Sequence, residues 1–369
     1  MRPRLRPRLI GLGPLGLTLA CQFPQENTSS FTTNVMLSAG SSGGAETTAA
    51  GSGTTAGEAS GTTGSAVSGS EGGPGNVETS GGPGTVLDVG AMGDVGDGKP
   101  RGCRGKIDFL FVISRYGTMQ YYQQQLLAAF PDFIETIKSE FADFDYHIMV
   151  VDGDSWWGGT DCDADCPMQC TPGYPCDYTP TTCDMILGTG TVFPAGYFAS
   201  NQDCGIAGGR RYMTKEQPNL EKTFECVARI GTSGAPWMGE ALAAAVQHNL
   251  NGPGGCNGGF LRKDALLMVT LLSSNYDVPE KPWGSEGTPE SWHAAVLAAK
   301  GNDPEAVVVL NILDAADAPG CHPEDRICQM TRMFPYSLTT DHDDEEYGSA
   351  FAAATAMVAD ACSGFRPPG

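Results

Sequence analysis

The chain has 369 residues, 50 of them glycine, with only 18% charged residues and a net charge of −21. That length suits one or two domains, and so acidic a chain argues against nucleic acid or an anionic membrane surface as a direct partner. Its 13 cysteines point to an oxidising compartment.

Residues 1–20 hold Arg2, Arg4, Arg6 and Arg8, followed by the apolar run from Leu9 to Ala20. A basic start and a short apolar run read as a secretory signal, too short for a stable transmembrane span. Thr18-Leu19-Ala20-Cys21 resembles a bacterial lipobox, which implies lipidation of Cys21 and a cell-envelope location, at the outer membrane or cell surface. Plain secretion is the alternative. In this reading the chain meets a membrane through a lipid anchor only, since an acyl chain contributes about 0.8 kcal/mol per buried methylene. Gly11-Leu12-Gly13-Pro14-Leu15-Gly16 matches a dinucleotide-binding fingerprint, but no strand precedes it, so no such cofactor is expected.

Residues 21–100 are dominated by Gly, Ser, Thr, Ala and Glu. Such a segment buries too little apolar surface to offset its chain entropy. It reads as a disordered tether whose root-mean-square reach is on the order of 50 Å.

From 101 to 369 the texture becomes that of a folded domain. Ile107 to Ile113 is an almost unbroken apolar run, the pattern of a strand buried on both faces of a parallel sheet. A polar loop with Gly117 follows, then helical segments from Thr118 to Phe130 and from Pro131 to Phe141, since proline suits a first helical turn. Further strands are expected over 146–151, 265–272 and 306–313. Helices are expected over 219–230, 238–246, 290–300 and 349–361. Strands alternating with helices predict an α/β fold with a doubly wound, mainly parallel sheet. Ligands of such sheets bind outside the carboxyl ends of the strands.

The strand–loop–helix of 107–119 resembles the start of a von Willebrand factor A-type domain, as do Gly231-Thr232-Ser233-Gly234 and the strand ending at Ser273-Ser274. The likeness is greatest to secreted or lipid-anchored bacterial proteins that combine a tether, a cysteine-rich insertion and a run such as Ala207-Gly208-Gly209-Arg210-Arg211-Tyr212. The resemblance implies a metal-ion-dependent adhesion site built from a D-x-S-x-S loop, a threonine loop and a third-loop aspartate. Here those positions fall on Ser114, Tyr116, Thr118, Thr232 and Ser274, so both carboxylates are hydroxyls and Tyr116 adds bulk. Hard divalent ions need oxygen ligands with enough negative charge to offset dehydration. The site is therefore expected to be degenerate, with no metal and no cofactor; Mg²⁺ or Ca²⁺ is the lesser alternative. Asp277 reads as a solvated loop acid.

Residues 152–218 form an insertion far longer than an ordinary loop. Cys21 apart, the disulfide candidates are Cys103, Cys162, Cys166, Cys170, Cys176, Cys183, Cys204, Cys226, Cys256, Cys321, Cys328 and Cys362. Their connectivity is not legible, although the resemblance implies close chain ends and hence a Cys103–Cys362 pair. The spacing Cys162-x3-Cys166-x3-Cys170 favours disulfides over zinc, because C-x2-C pairs and a near histidine are lacking. Asp161, Asp163 and Asp165 alternate as in a calcium loop but lack its glycine and distal glutamate. Trp156, Trp157, Tyr174 and Phe193 form either a small core for the insertion or an exposed recognition patch.

No nucleophile elbow, H-E-x-x-H or P-loop occurs. His147 reads as a surface or half-buried residue, and the acidic run 341–346 as a solvated flank. The expectation is a non-enzymatic, envelope-tethered binding, adhesion or structural module for an unknown protein or surface ligand. An exported hydrolase is the rival.

Overall fold

The computed structural model describes residues 103, 105–158, 178–277, 284–313, 321–341 and 347–366. The leader with Cys21, the tether, Cys162, Cys166, Cys170, Cys176, Tyr174, the three alternating aspartates and residues 342–346 lie outside them.

The described chain is mixed α/β. Its strands are β1 (Lys106–Ile113), β2 (Asp145–Asp152), β3 (Met213–Thr214), β4 (Leu266–Leu272), β5 (Val307–Leu313) and β6 (Tyr336–Asp341). They form one sheet in the order β3-β2-β1-β4-β5-β6, parallel except where β3 pairs with β2. The helices are α1 (Met119–Glu140), α2 (Leu220–Ala228), α3 (Met238–Ala245), α4 (His248–Asn251), α5 (Pro289–Ala299), α6 (Arg326–Thr331) and α7 (Tyr347–Gly364).

β1 is central and buried on both faces, as its apolar run requires. Ile107, Phe109, Phe111 and Ile113 enter one core with α1, α2 and α7. Leu110 and Val112 enter the opposite core with Met238, Leu242, Trp292, Val296 and Ile327 from α3, α5 and α6. This is the period-2 alternation of a strand, with apolar residues on both faces because helices cover both. In the first core the rings of Phe130 and Phe224 stack 3.4 Å apart, and Phe111 meets Phe224 edge-on at 4.9 Å. In the second, Gly239 lies so close to Trp292 that a Cβ there would fall 2.2 Å from the indole.

Several elements differ from the expectation. The helix after β1 runs unbroken through Pro131, where two pieces were expected. Leu126, Ala129, Phe130, Phe133 and Ile134 are all buried on either side of it, and that continuous apolar face outweighs one lost backbone hydrogen bond. The edge strands β3 and β6 and the short helix α6 were not anticipated. β6 is half-buried at every position, and β3 is only two residues long, so neither shows a strong apolar run.

Cys103 and Cys362 are disulfide-bonded, joining the entry to β1 with the last turns of α7. Cys183–Cys256, Cys204–Cys226 and Cys321–Cys328 are the other disulfides among the described residues. Two of these hold the insertion against the rest of the domain. No helix among the described residues is long and apolar enough to cross a membrane.

Candidate binding site at the carboxyl end of the sheet

β1, β2 and β4 end side by side, so their following loops share one rim. Ser114 is fully buried, its amide donates to the Leu272 carbonyl at 2.9 Å, and its Oγ accepts from the Tyr116 amide at 3.2 Å. Thr118 Oγ1 and Ser274 Oγ are hydrogen-bonded at 2.6 Å across 156 residues of chain. The resemblance-derived positions Ser114, Thr118 and Ser274 are thus brought to one place. Tyr116 stands at the rim, 36% exposed. Thr232 turns to the insertion, its amide donating to the Tyr197 carbonyl at 3.0 Å.

This donor set does not fit a hard divalent cation. Ser114, Thr118 and Ser274 supply neutral hydroxyls that already bond one another or the backbone, and the rim carboxylates Asp152 and Asp154 are held by Arg115 and by backbone amides.

The acid on the loop after β4 is committed elsewhere. Asp277 is fully buried, which corrects the expectation of a solvated acid. Its Oδ1 accepts from the Ser285 amide at 2.6 Å and pairs with Arg326 Nη2 at 3.0 Å. Its Oδ2 accepts from Ser285 Oγ at 2.6 Å and from the Gly239 amide at 3.1 Å. Arg326 also lies over the Trp292 ring at 4.9 Å. A buried carboxylate needs such partners to stay charged. Arg326 lies 49 residues on in sequence, so spacing gave no hint of it.

Arg115, which the sequence reading passed over, is the hub of the rim. Only 1% exposed, it donates from Nη1 to the Trp156 carbonyl at 3.0 Å and from Nη2 to the Ala195 carbonyl at 2.7 Å. Nη1 also pairs with Asp152 Oδ2 at 3.1 Å, and the Arg115 carbonyl accepts from the Gly234 amide at 3.1 Å. Through its guanidinium Arg115 therefore links the loops after β1 and β2 and the insertion, and through its carbonyl the 231–235 loop. Burial pushes the Asp152 carboxyl up to about 7, with Arg115 pulling the other way and Asp154 adding to the rise. Asp154 caps the arrangement, accepting from the Trp156 amide at 3.0 Å and the Ala235 amide at 2.7 Å.

The insertion resolves the aromatic alternatives residue by residue. Trp157, Tyr178 and Phe193 pack together, with ring centroids 5.3 Å apart for Trp157–Tyr178 and 4.4 Å for Tyr178–Phe193. They form a small half-buried cluster, in which Tyr178 keeps 36% exposure. Trp156 instead faces solvent at 40% exposure, and Tyr197 and Phe198 are 48% and 43% exposed. Through the bonds of Arg115 and Thr232, these three and Tyr116 rim the same end of the sheet.

A second charged cluster lies at the opposite, amino end of the strands. Asp108 is fully buried and accepts from the Arg262 amide and Nε, each at 2.8 Å, while Arg262 Nη1 reaches Asp145 at 2.6 Å. His147 is buried, not half-exposed, with Nδ1 donating to the Phe260 carbonyl at 2.9 Å. Burial lowers its pKa to about 4, raises that of Asp108 to about 6 and lowers that of Lys300 to about 8. Lys300 Nζ donates to the Arg262 and Ala265 carbonyls. Each of these groups is bonded inward, to strands and their connections.

No family model and no curated protein matches the chain. Among solved structures it is similar to proximal thread matrix protein 1 from the mussel byssus, at 14% identity and a TM-score of 0.34, over 70% of this chain and 48% of that one. It is also similar to the pilus adhesin SpaC from Lactobacillus rhamnosus GG, at 12% identity and a TM-score of 0.35, over 70% of this chain and 31% of that one. The open conformation of SpaC gives 11% identity and a TM-score of 0.35, over 70% and 30%. The chain thus spans less than half the length of each of these proteins.

Proposed function

We propose that the protein is a non-enzymatic binding module of the von Willebrand A type, with a doubly wound sheet, that recognises a protein or surface ligand without a metal ion. The observation that carries this reading is the Arg115–Asp152 pair at the carboxyl end of the sheet. A fixed guanidinium gathers the loops there, so the rim has its shape without an added cation. The hydroxyl pair Thr118–Ser274 supports the same reading, since it closes on itself. Tyr116 and Trp156 supply exposed aromatic surface of the kind that anchors interfaces.

The hydrolase rival would need titratable groups grouped in a cleft. Among the described residues one such group, Asp108, His147, Arg262 and Lys300, is at the other end of the strands with Asp108 inaccessible. A second, Asp152, Asp154 and Asp184 with Arg115 and Arg211, lines a cavity at the insertion but is bonded within itself and to the backbone. The disulfides suit an oxidising, extracytoplasmic compartment. A lipid anchor at Cys21 completes the proposal.

Affinity capture from envelope extract, with and without chelator, tests it. The expected result is a partner retained in chelator and lost on Trp156→Ala with Tyr116→Ser. Capture that disappears with chelator overturns the metal-free reading.

A further inference from the structure

Beside the aromatic rim, a groove of about 420 Å³ runs between the first turns of α1 and the insertion, lined by Gln120, Gln123, Gln124, Leu127, Phe198 and Arg229. Its size is that of small-ligand sites. Gln123 is 1% exposed, and its Nε2 donates to the Ser114 carbonyl at 3.4 Å and the Gly231 carbonyl at 2.9 Å. Those two bonds fix the amide's orientation and leave Oε1 as a buried acceptor with no partner. Gln120 Oε1 is a second such acceptor in the same wall. A buried acceptor without a donor is costly, so a ligand that brings hydroxyl donors recovers that cost. At the groove's edge, Phe198 is 43% exposed and held at φ 60°, a backbone region that bulky residues avoid.

We propose that this groove binds a neutral saccharide. Resting on the binding-module reading above, this names a ligand class for it. The amides of Gln120 and Gln124 suit hydroxyls, which both donate and accept. The Phe198 ring gives the apolar C–H face of a pyranose a flat partner. Charge selects against the alternatives. The lining has no carboxylate to hold a cation, and its one cation, Arg229, is already paired with Glu225 at 2.8 Å. An anionic glycan would also meet a chain of net charge −21.

The test uses the full chain with glucose, galactose, mannose, N-acetylglucosamine and their β-linked disaccharides, read by saturation-transfer NMR and titration. An oligolysine peptide is run in parallel. The expected result is saturable binding of at least one saccharide, weakened about tenfold or more by Phe198→Asn and by Gln120→Met, as loss of roughly one good contact implies. Both variants are checked for native near-ultraviolet circular dichroism; asparagine tolerates the left-handed backbone at 198. Absence of binding by every saccharide, or binding unchanged in both variants, overturns the proposal. Oligolysine binding that these variants abolish overturns the ligand class. Either failure leaves the module reading intact if chelator-resistant capture at Tyr116 and Trp156 persists.

Discussion

Thr118 Oγ1 and Ser274 Oγ lie 2.6 Å apart, although 156 residues of chain separate them. Two loops that begin at the ends of neighbouring parallel strands meet there through hydroxyls alone. The contact fixes which positions would have to carry charge for the rim to hold a cation.

Combining Ser114→Asp, Tyr116→Ser and Ser274→Asp should therefore create a Mg²⁺ or Ca²⁺ site, because it restores the missing carboxylates around Thr118. Calorimetric titration should show saturable uptake by the triple variant and none by the parent. A folded triple variant that takes up neither ion would refute the placement of these loops.

Replacing Arg115 by Met should destabilise the domain by about 3–5 kcal/mol, since it leaves half-buried Asp152 without its counter-charge and the Trp156 and Ala195 carbonyls without their donor. Adding Asp152→Asn should recover part of that loss, as removal of both charges is cheaper than removal of one. Urea denaturation of the two single variants and the double variant provides the comparison. Strict additivity would mean that the pair is not coupled.

His147 should govern part of the acid stability. Burial holds its folded pKa near 4 against 6.5 for the free side chain, so the unfolded chain binds more protons between those values. Its contribution is fully present above about 6.5 and is lost as pH falls towards 4. Asp108 has the opposite sign, because its pKa rises from 3.8 to about 6 and stability falls as pH climbs through that window. Relative to the parent, His147→Gln should lose the rise in stability between pH 4 and 6.5. Thermal melts across that window would contradict this if the two curves stay parallel.

Asn311 is 1% exposed in β5, and neither its Oδ1 nor its Nδ2 has a hydrogen-bond partner among the described residues. Asn311→Leu should raise stability by about 1–3 kcal/mol, since it removes an uncompensated burial of polar atoms. A lower denaturation midpoint would show that the amide serves a purpose the apolar side chain cannot.

The sheet was legible where burial is uniform. Ile107–Ile113, Ala265–Leu272 and Ala306–Leu313 announced themselves as apolar runs interrupted by one polar residue each, and lie at β1, β4 and β5. β6 was not legible, because Tyr336–Asp341 is half-buried throughout and carries four hydroxyl residues. The helix break expected at Pro131 failed for a different reason. A local proline cost is small beside a face of five buried side chains that continues past it.

The rim was legible in position but not in chemistry. The resemblance to von Willebrand A-type domains placed Ser114, Thr118 and Ser274 together, and the hydroxyls standing where it implies carboxylates were visible in the letters. Arg115 lay between two of these positions and gave no signal, because its partners Asp152, Trp156 and Ala195 come from other segments. Asp277 was misjudged for the same reason. Its partner Arg326 stands on a helix too short to be predicted.

The disulfide between Cys103 and Cys362 has a mechanical meaning for a domain reached through a long N-terminal segment. Tension arriving from the amino-terminal side meets a covalent fork at Cys103 before it meets β1. Half of the fork leads into the central strand and half into α7, which packs on α1, β5 and β6. Pulling on the chain therefore loads the sheet and its covering helix in parallel, and β1 cannot be drawn out from its amino end while the bond is intact.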